Sequence, residues 1–174
     1  MKHHIYSMIF LLASSIGCQT RIPVFNGNAA FAHLVAQCDF GPRNPGSVGH
    51  QKALDYFLNV LTTLADTVST QSFTEIMPRS KQKVEMHNII AQFNPKAKKQ
   101  IMISAHWDTR PWGDRSLSIM RKDQPILGAN DGASGVAIIL ELAKVLHENP
   151  QKIGINLVLF DAEDFGSSGD SWSY

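Results

Sequence analysis

The feature that most constrains the fold is a strand, helix, strand pattern between positions 101 and 160. Residues 101–105 form a short apolar segment, residues 133–147 carry apolar side chains at helical spacing, and residues 155–160 are almost continuously apolar. A strand that is apolar on both faces is typical of a parallel strand covered by helices on both sides. We therefore predict an α/β fold with a doubly wound, mostly parallel sheet and helices on both faces.

The residues before this unit predict a further helix and two further strands. Apolar residues between 54 and 65 recur every three or four positions, and Ser47 is placed to cap that helix. Residues 68–76, 84–93 and 100–105 are predicted strands, and the turn at Asn94-Pro95 predicts a hairpin between the last two. A chain of 174 residues with 44% hydrophobic residues suits one domain.

The N-terminus differs in composition from the rest of the chain. Lys2 precedes an apolar stretch over residues 8–16, which is too short to span a bilayer and is typical of a signal peptide, here residues 1–17. Ser15-Ile16-Gly17-Cys18 resembles a bacterial lipobox, which implies a lipid on Cys18. We expect a periplasmic or cell-envelope lipoprotein, otherwise a secreted protein, with residues 18–29 as a linker and 30–174 as the folded domain. A non-functional apolar start is the remaining alternative.

The charge balance restricts the partners. The 16 Lys and Arg residues nearly offset the 15 Asp and Glu residues, so the chain has no long-range field of one sign. We therefore expect no nucleic-acid binding, and membrane contact only through the lipid. The pattern makes no prediction of the oligomeric state.

Polar side chains gather where the two strands of the βαβ unit end. The carboxyl ends of parallel strands meet at one edge of the sheet, and open α/β sheets bind their ligands there. Three segments supply the residues: His106 and Asp108 follow the first strand, Asp131 precedes the helix, and Asp161, Glu163 and Asp164 follow the second strand.

A cluster of carboxylates at this edge calls for a positive charge, because like charges raise one another's pKa. No Lys or Arg lies in residues 132–143 or 154–174, so a metal ion is the simplest source. Imidazole and carboxylate ligands suit zinc, which keeps an open position in catalytic sites. The predicted roles are metal ligand for Asp131 and Asp164, candidate ligand for His106, orientation of His106 for Asp108, and proton transfer for Glu163.

Each of these residues also has a purely structural interpretation. Asp131 could cap the following helix, and the glycines around it could serve only a tight turn. An acidic pair after a strand is often a solvated turn, and a single histidine is more often not a ligand. The prediction of a metal site rests on the joint occurrence of these residues at one edge.

The segments that carry these residues resemble the motifs of metallopeptidase family 28, and within it most of all the bacterial glutaminyl-peptide cyclotransferases. The motifs are Phe-Gly-Pro-Arg-Asn-Pro-Gly-Ser at 40–47, His-Trp-Asp-Thr-Arg-Pro at 106–111, Gly-Ala-Asn-Asp-Gly-Ala-Ser-Gly at 128–135 and Phe-Asp-Ala-Glu-Asp-Phe-Gly at 160–166. The resemblance implies that Asp131 and Asp164 bind metal and that Glu163 is the general acid/base. It implies that His106 is a ligand in two-metal aminopeptidases and lies near the metal in one-zinc cyclases.

The family's domain continues beyond position 174 with further strands and a late histidine ligand. We therefore expect residues 30–174 to be a partial catalytic domain, with the chain a fragment in preference to a truncated product, and to bind zinc weakly as they stand.

Three functions are compatible with this resemblance. The first is a one-zinc cyclotransferase that converts N-terminal glutamine of peptides to pyroglutamate and releases ammonia. The second is a two-zinc aminopeptidase, in which His106 is a ligand. The third is an exported binding protein that has lost catalysis. The motif at 106–111 favours the cyclotransferase.

Overall fold

The computed structural model describes residues 22–76, 81–113 and 118–164, which form three α-helices and four strands. The elements are α1 (Gly27–Asp39), α2 (Val48–Leu64), β1 (Thr67–Ile76), β2 (Lys83–Phe93), β3 (Gln100–His106), α3 (Ser134–Glu148) and β4 (Gly154–Phe160). The predicted signal segment 1–17 and Cys18 lie outside the described residues, and α1 begins inside the predicted linker. Among the described helices, none has the length and apolar character needed to cross a membrane.

The four described strands form one sheet in the order β1-β2-β4-β3. Strands β3 and β4 are parallel, as the βαβ pattern predicts, whereas β1 with β2 and β2 with β4 are antiparallel. The α/β class is confirmed, and the described sheet is mixed. The predicted hairpin between residues 84–93 and 100–105 is wrong, because β4 lies between these strands. β4 is buried along most of its length, so its apolar side chains favour the central position.

The core lies between one face of the sheet and the helices. Alternate residues of β2 and β4 point to this face, and Ile89 is paired with Leu159 across the two strands. Phe57 of α2 and Leu140 of α3 are fully buried in the same cluster, together with Trp107. α1 packs against α3. The described helices therefore cover one face of the sheet, and none of them supplies the predicted layer on the second face.

The start of α2 is fixed as the sequence predicts. Ser47 has extended backbone, and its hydroxyl accepts a hydrogen bond from the backbone N–H of His50 at 3.1 Å. This cap places His50 in the first turn of α2, where the residue is buried and its side chain points toward the end of β4.

Candidate active site

The carboxyl ends of β3 and β4 lie side by side. His106 is in register with Phe160, and the next backbone N–H, that of Trp107, donates to the carbonyl oxygen of Phe160 at 2.9 Å. The segments that follow the two strands therefore run next to each other. The turn before α3 reaches the same edge, since Asp131 contacts His106.

His106 lies at the centre of the carboxylates that the sequence predicts. Its Nε2 is 3.0 Å from Oδ1 of Asp131, and its Nδ1 is 3.3 Å from Oδ1 of Asp108 and 3.9 Å from Oε2 of Glu163. The hydrogen bond to Asp108 raises the pKa of His106 to about 9; partial burial opposes the rise, and the charges of Asp108 and Glu163 and the contact with Asp131 add to it. The side chains of Asp131 and Glu163 are 72% and 63% exposed. The site therefore presents two carboxylates to solvent around one imidazole.

Asp108 orients more than the imidazole. Its side chain is fully buried, and its two carboxylate oxygens accept hydrogen bonds from the backbone N–H groups of Glu163 and Asp164, each at 3.1 Å. The predicted contact with His106 is present as well. Asp108 therefore joins the segment after β3 to the acidic turn after β4.

Asp164 has a side-chain cation that the sequence argument missed. Nε of Arg110 donates to Oδ1 of Asp164 at 2.8 Å, and both side chains are mostly buried. Burial raises the pKa of Asp164, the charges of Asp131 and Asp108 raise it further, and Arg110 opposes the rise. The absence of Lys and Arg from residues 132–143 and 154–174 therefore does not exclude a side-chain cation beside Asp164, because Arg110 comes from the third segment. The missed signal was Arg110 itself, which lies in the loop after β3.

The turn that carries Asp131 is shaped by glycine and by a buried arginine. Gly128 has a φ of +63°, and a Cβ there would lie 2.4 Å from Cγ2 of Thr109. Arg43, fully buried, donates to the carbonyl oxygen of Gly128 at 2.9 Å. Asp131 itself has extended backbone, and α3 begins at Ser134 without a side-chain cap, so Asp131 does not serve as the helix cap.

Asp161 faces away from the acids that follow it and makes a buried contact that sequence reasoning did not find. Its Oδ2 is 2.8 Å from Nε2 of His50 and accepts the backbone N–H of His87 at 2.7 Å. His50 and Asp161 are 111 positions apart, so a local sequence motif could not indicate that they are in contact.

The donor chemistry of the edge suits zinc. Asp131 and Asp164 supply carboxylate oxygens, and His106 supplies imidazole nitrogen. Within residues 22–76, 81–113 and 118–164, however, no group of three or more His, Cys, Asp or Glu side chains is arranged to hold a metal ion. The described residues thus offer donors of the right type and only part of a coordination shell.

Comparison with known proteins agrees with this arrangement. Residues 88–171 match the model of Peptidase family M28. Glutaminyl-peptide cyclotransferase of Drosophila melanogaster is 32% identical over 128 residues, which cover 71% of this chain and 33% of that protein. This chain therefore spans about a third of that curated relative.

Solved structures give the same result for the fold. The glutaminyl cyclase of Tannerella forsythia superposes with a TM-score of 0.80 at 36% identity, over 87% of this chain and 52% of that chain. A Zn-dependent exopeptidase from Parabacteroides distasonis superposes with a TM-score of 0.81 at 34% identity, over 88% and 52%. The four motifs occur in order, two solved structures share the fold, and the sequence identity to these relatives exceeds 30%. The chain therefore belongs to peptidase family M28.

Proposed function

We propose that this protein is a zinc-dependent glutaminyl-peptide cyclotransferase, which converts the N-terminal glutamine of a peptide to pyroglutamate. The observation that carries the proposal is the arrangement of Glu163, whose exposed carboxylate lies 3.9 Å from His106 while its backbone is held by buried Asp108. An exposed acid on a fixed backbone, beside candidate metal ligands, is suited to proton transfer. The similarity to glutaminyl cyclases from several organisms supports the same assignment.

The reaction needs little from the protein. The α-amine of the substrate attacks its own γ-carboxamide carbon, the new C–N bond closes the ring, and the old C–N bond breaks to release ammonia. Glu163 accepts the proton from the attacking amine and returns it to the departing nitrogen, so no water is consumed. A zinc ion held by Asp131 and Asp164 would polarise the γ-carboxamide as a Lewis acid. Because the attack is intramolecular, correct orientation supplies much of the rate.

Substitution of Glu163 by Gln tests the role of this carboxylate. Gln keeps the size of the side chain and removes the proton acceptor, so we expect kcat for ammonia release from a Gln-initiated peptide to fall by about 10²–10⁴-fold with zinc content unchanged. Glu148→Gln is the matched control, since Glu148 lies at the far end of α3 in an exposed pair with Lys144. Full activity of Glu163→Gln would refute the assignment, and absence of zinc from active wild-type protein would refute the metal.

A two-metal aminopeptidase is the second candidate, favoured by one specific contact. His106 Nε2 and Asp131 Oδ1 are 3.0 Å apart, so both could face a shared ion, and a Zn-dependent exopeptidase is among the similar structures. In that case Glu163 would deprotonate water, and the peptide bond would be cleaved. The product from a Gln-initiated peptide decides: free glutamine indicates the aminopeptidase, and ammonia with an intact peptide indicates the cyclotransferase. One or two bound zinc ions per chain gives the same distinction. Neither product and no zinc would indicate a non-catalytic binding protein.

We further propose that the protein is exported through residues 1–17 and anchored by a lipid on Cys18. The support is the signal-peptide plan and the lipobox-like sequence. Metabolic labelling with a radioactive fatty acid should mark the wild-type protein and not Cys18→Ser. Equal labelling of both would refute the anchor.

A further inference from the structure

Three side chains close a buried ring of contacts behind the candidate active site. Nε2 of His50 lies 2.8 Å from Asp161, the imidazole of His50 stacks on Trp107 with ring centroids 4.4 Å apart, and Nε1 of Trp107 donates to the carbonyl oxygen of His87 at 3.2 Å. The backbone N–H of His87 donates to Asp161 and completes the ring. We name His50, Asp161 and Trp107 the edge clamp.

The first function of the edge clamp is to shape the acidic turn. Asp161 has a fully buried carboxylate. Its Oδ2 is hydrogen-bonded to Nε2 of His50 and to the backbone N–H of His87, and its Oδ1 accepts a hydrogen bond from the backbone N–H of Ala162 at 2.9 Å. Ala162 has a φ of +65°, a left-handed conformation that a residue with a Cβ rarely adopts. The hydrogen bond from Ala162 to Asp161 holds that conformation, which turns the chain so that Glu163 meets Asp108.

The second function concerns the segment after β3. Trp107 stands between His106 and Asp108 in the chain and is fully buried between His50 and Phe57. The edge clamp therefore includes one residue from the segment after β3, Trp107, and one from the segment after β4, Asp161. The separation of these two segments sets the distance from His106 to Glu163. His50 is the only member that comes from outside these two segments.

We propose that His50 is a positioning residue, which acts through Asp161 and Trp107 to fix Glu163 relative to His106; this rests on the proposed role of Glu163. In the part of the chain that the structure describes, the imidazole of His50 contacts Asp161 and Trp107, and neither of these is a predicted metal ligand. An apolar residue could fill its place against Trp107 without requiring a buried carboxylate partner, and buried polar pairs are weak contributors to stability compared with apolar packing. The pair is therefore better explained by geometry at the site than by stability.

The test compares His50→Leu with His50→Gln in the purified full-length protein. Leu removes the hydrogen bond to Asp161, and we expect kcat to fall by about 10- to 100-fold with KM and zinc content within about twofold. The amide of Gln reaches Asp161 and should recover most of the loss. His33→Gln is the matched control at pH 8: His33 is also hydrogen-bonded in the helical layer, to Tyr56 at 2.6 Å, but lies outside the clamp.

A double-mutant cycle separates positioning from a general loss of stability. If His50 acts through Glu163, His50→Leu added to Glu163→Gln should lower kcat by less than about twofold. Full additivity, unchanged kcat in His50→Leu, or an equal loss in His33→Gln would overturn the proposal. If His50→Leu does not fold, His50→Gln must still exceed His50→Asn in kcat, because the Asn amide is shorter; equal values would overturn it. Wild-type protein that releases neither ammonia nor glutamine would instead refute the proposed function, and the role of His50 with it.

Discussion

Asp108 Oδ1 accepts a hydrogen bond from the backbone N–H of Glu163 at 3.1 Å, so a buried carboxylate after β3 holds the backbone of the proposed proton shuttle after β4. The other oxygen of Asp108 accepts from Asp164 at the same distance. A carboxylate has two acceptor oxygens, and this geometry uses both for backbone donors.

Asp108→Asn should therefore disrupt the turn even though the side chain keeps its shape. An amide has one acceptor, so the N–H of either Glu163 or Asp164 faces an NH2 group and is left without a partner. We expect the free energy of unfolding to fall by about 1–3 kcal/mol. We expect zinc affinity to fall by about 10- to 100-fold. Urea unfolding and competition with a chromogenic chelator measure the two effects. Asp55→Asn, at an exposed position on α2, is the control, and equal behaviour of the two variants would contradict this role of Asp108.

Gly128 is required by space as well as by its backbone angle. A Cβ there would lie 2.4 Å from Thr109 and 2.5 Å from the carbonyl oxygen of Asp131, and φ is +63°. Gly128→Ala should displace the turn that carries Asp131 and lower both thermal stability and zinc affinity. Gly27→Ala is the matched control, because a Cβ at Gly27 meets nothing within 4 Å. Gly27→Ala should be neutral or stabilising by up to about 1 kcal/mol. Similar losses in both variants would show that crowding at Gly128 is not the cause.

The helices and strands could be predicted from the sequence more accurately than the pairing of the strands in the sheet. Residues 155–160 are apolar in an almost unbroken run, and this local pattern is enough to identify β4 and its burial. Strand order depends on contacts between distant segments, and the turn at Asn94-Pro95 favoured a local pairing that β4 displaces. The sequence could not rank these alternatives, because an apolar strand satisfies its hydrogen bonds with any partner in register.

In the candidate site, too, the contacts between distant segments could not be predicted from the sequence. The shared edge of β3 and β4 brings His106, Asp108 and the acids together, as the parallel topology requires. The partners that complete the geometry are His50 of α2 and Arg43 before it, which come from a segment more than 50 positions before His106. Arg43 belongs to the motif at 40–47, but that motif does not say what its side chain contacts, and none of the quoted motifs includes His50. They are found only once tertiary packing has placed α2 against the sheet edge.

Arg43 should be among the most destabilising positions for substitution. It is fully buried, and its guanidinium donates to the carbonyl oxygens of Trp107, Gln37, Leu127 and Gly128. Arg43→Met fills similar volume but leaves these acceptors without donors, and we expect a loss of about 3–5 kcal/mol in the free energy of unfolding. Arg43→Lys keeps the charge without the planar fork and should lie between Met and wild type. Denaturant titration measures the series, and a loss below about 1 kcal/mol for Met would contradict this account.

His33 should make the stability of the helical layer depend on pH. Its Nδ1 is 2.6 Å from the hydroxyl of Tyr56, and burial lowers the pKa of His33 from its usual 6.5, with Glu141 opposing. Burial also raises the pKa of Tyr56, so its hydroxyl stays protonated and can donate to Nδ1 of a neutral imidazole. The unfolded chain therefore binds a proton at His33 more readily than the folded one, and this contribution to stability is present above pH 6.5 and is lost as the pH falls toward the folded pKa. Unfolding measured by urea between pH 5 and 8 should show a shallower pH dependence in His33→Gln than in wild type. Parallel curves for the two proteins would show that His33 does not contribute to the acid sensitivity.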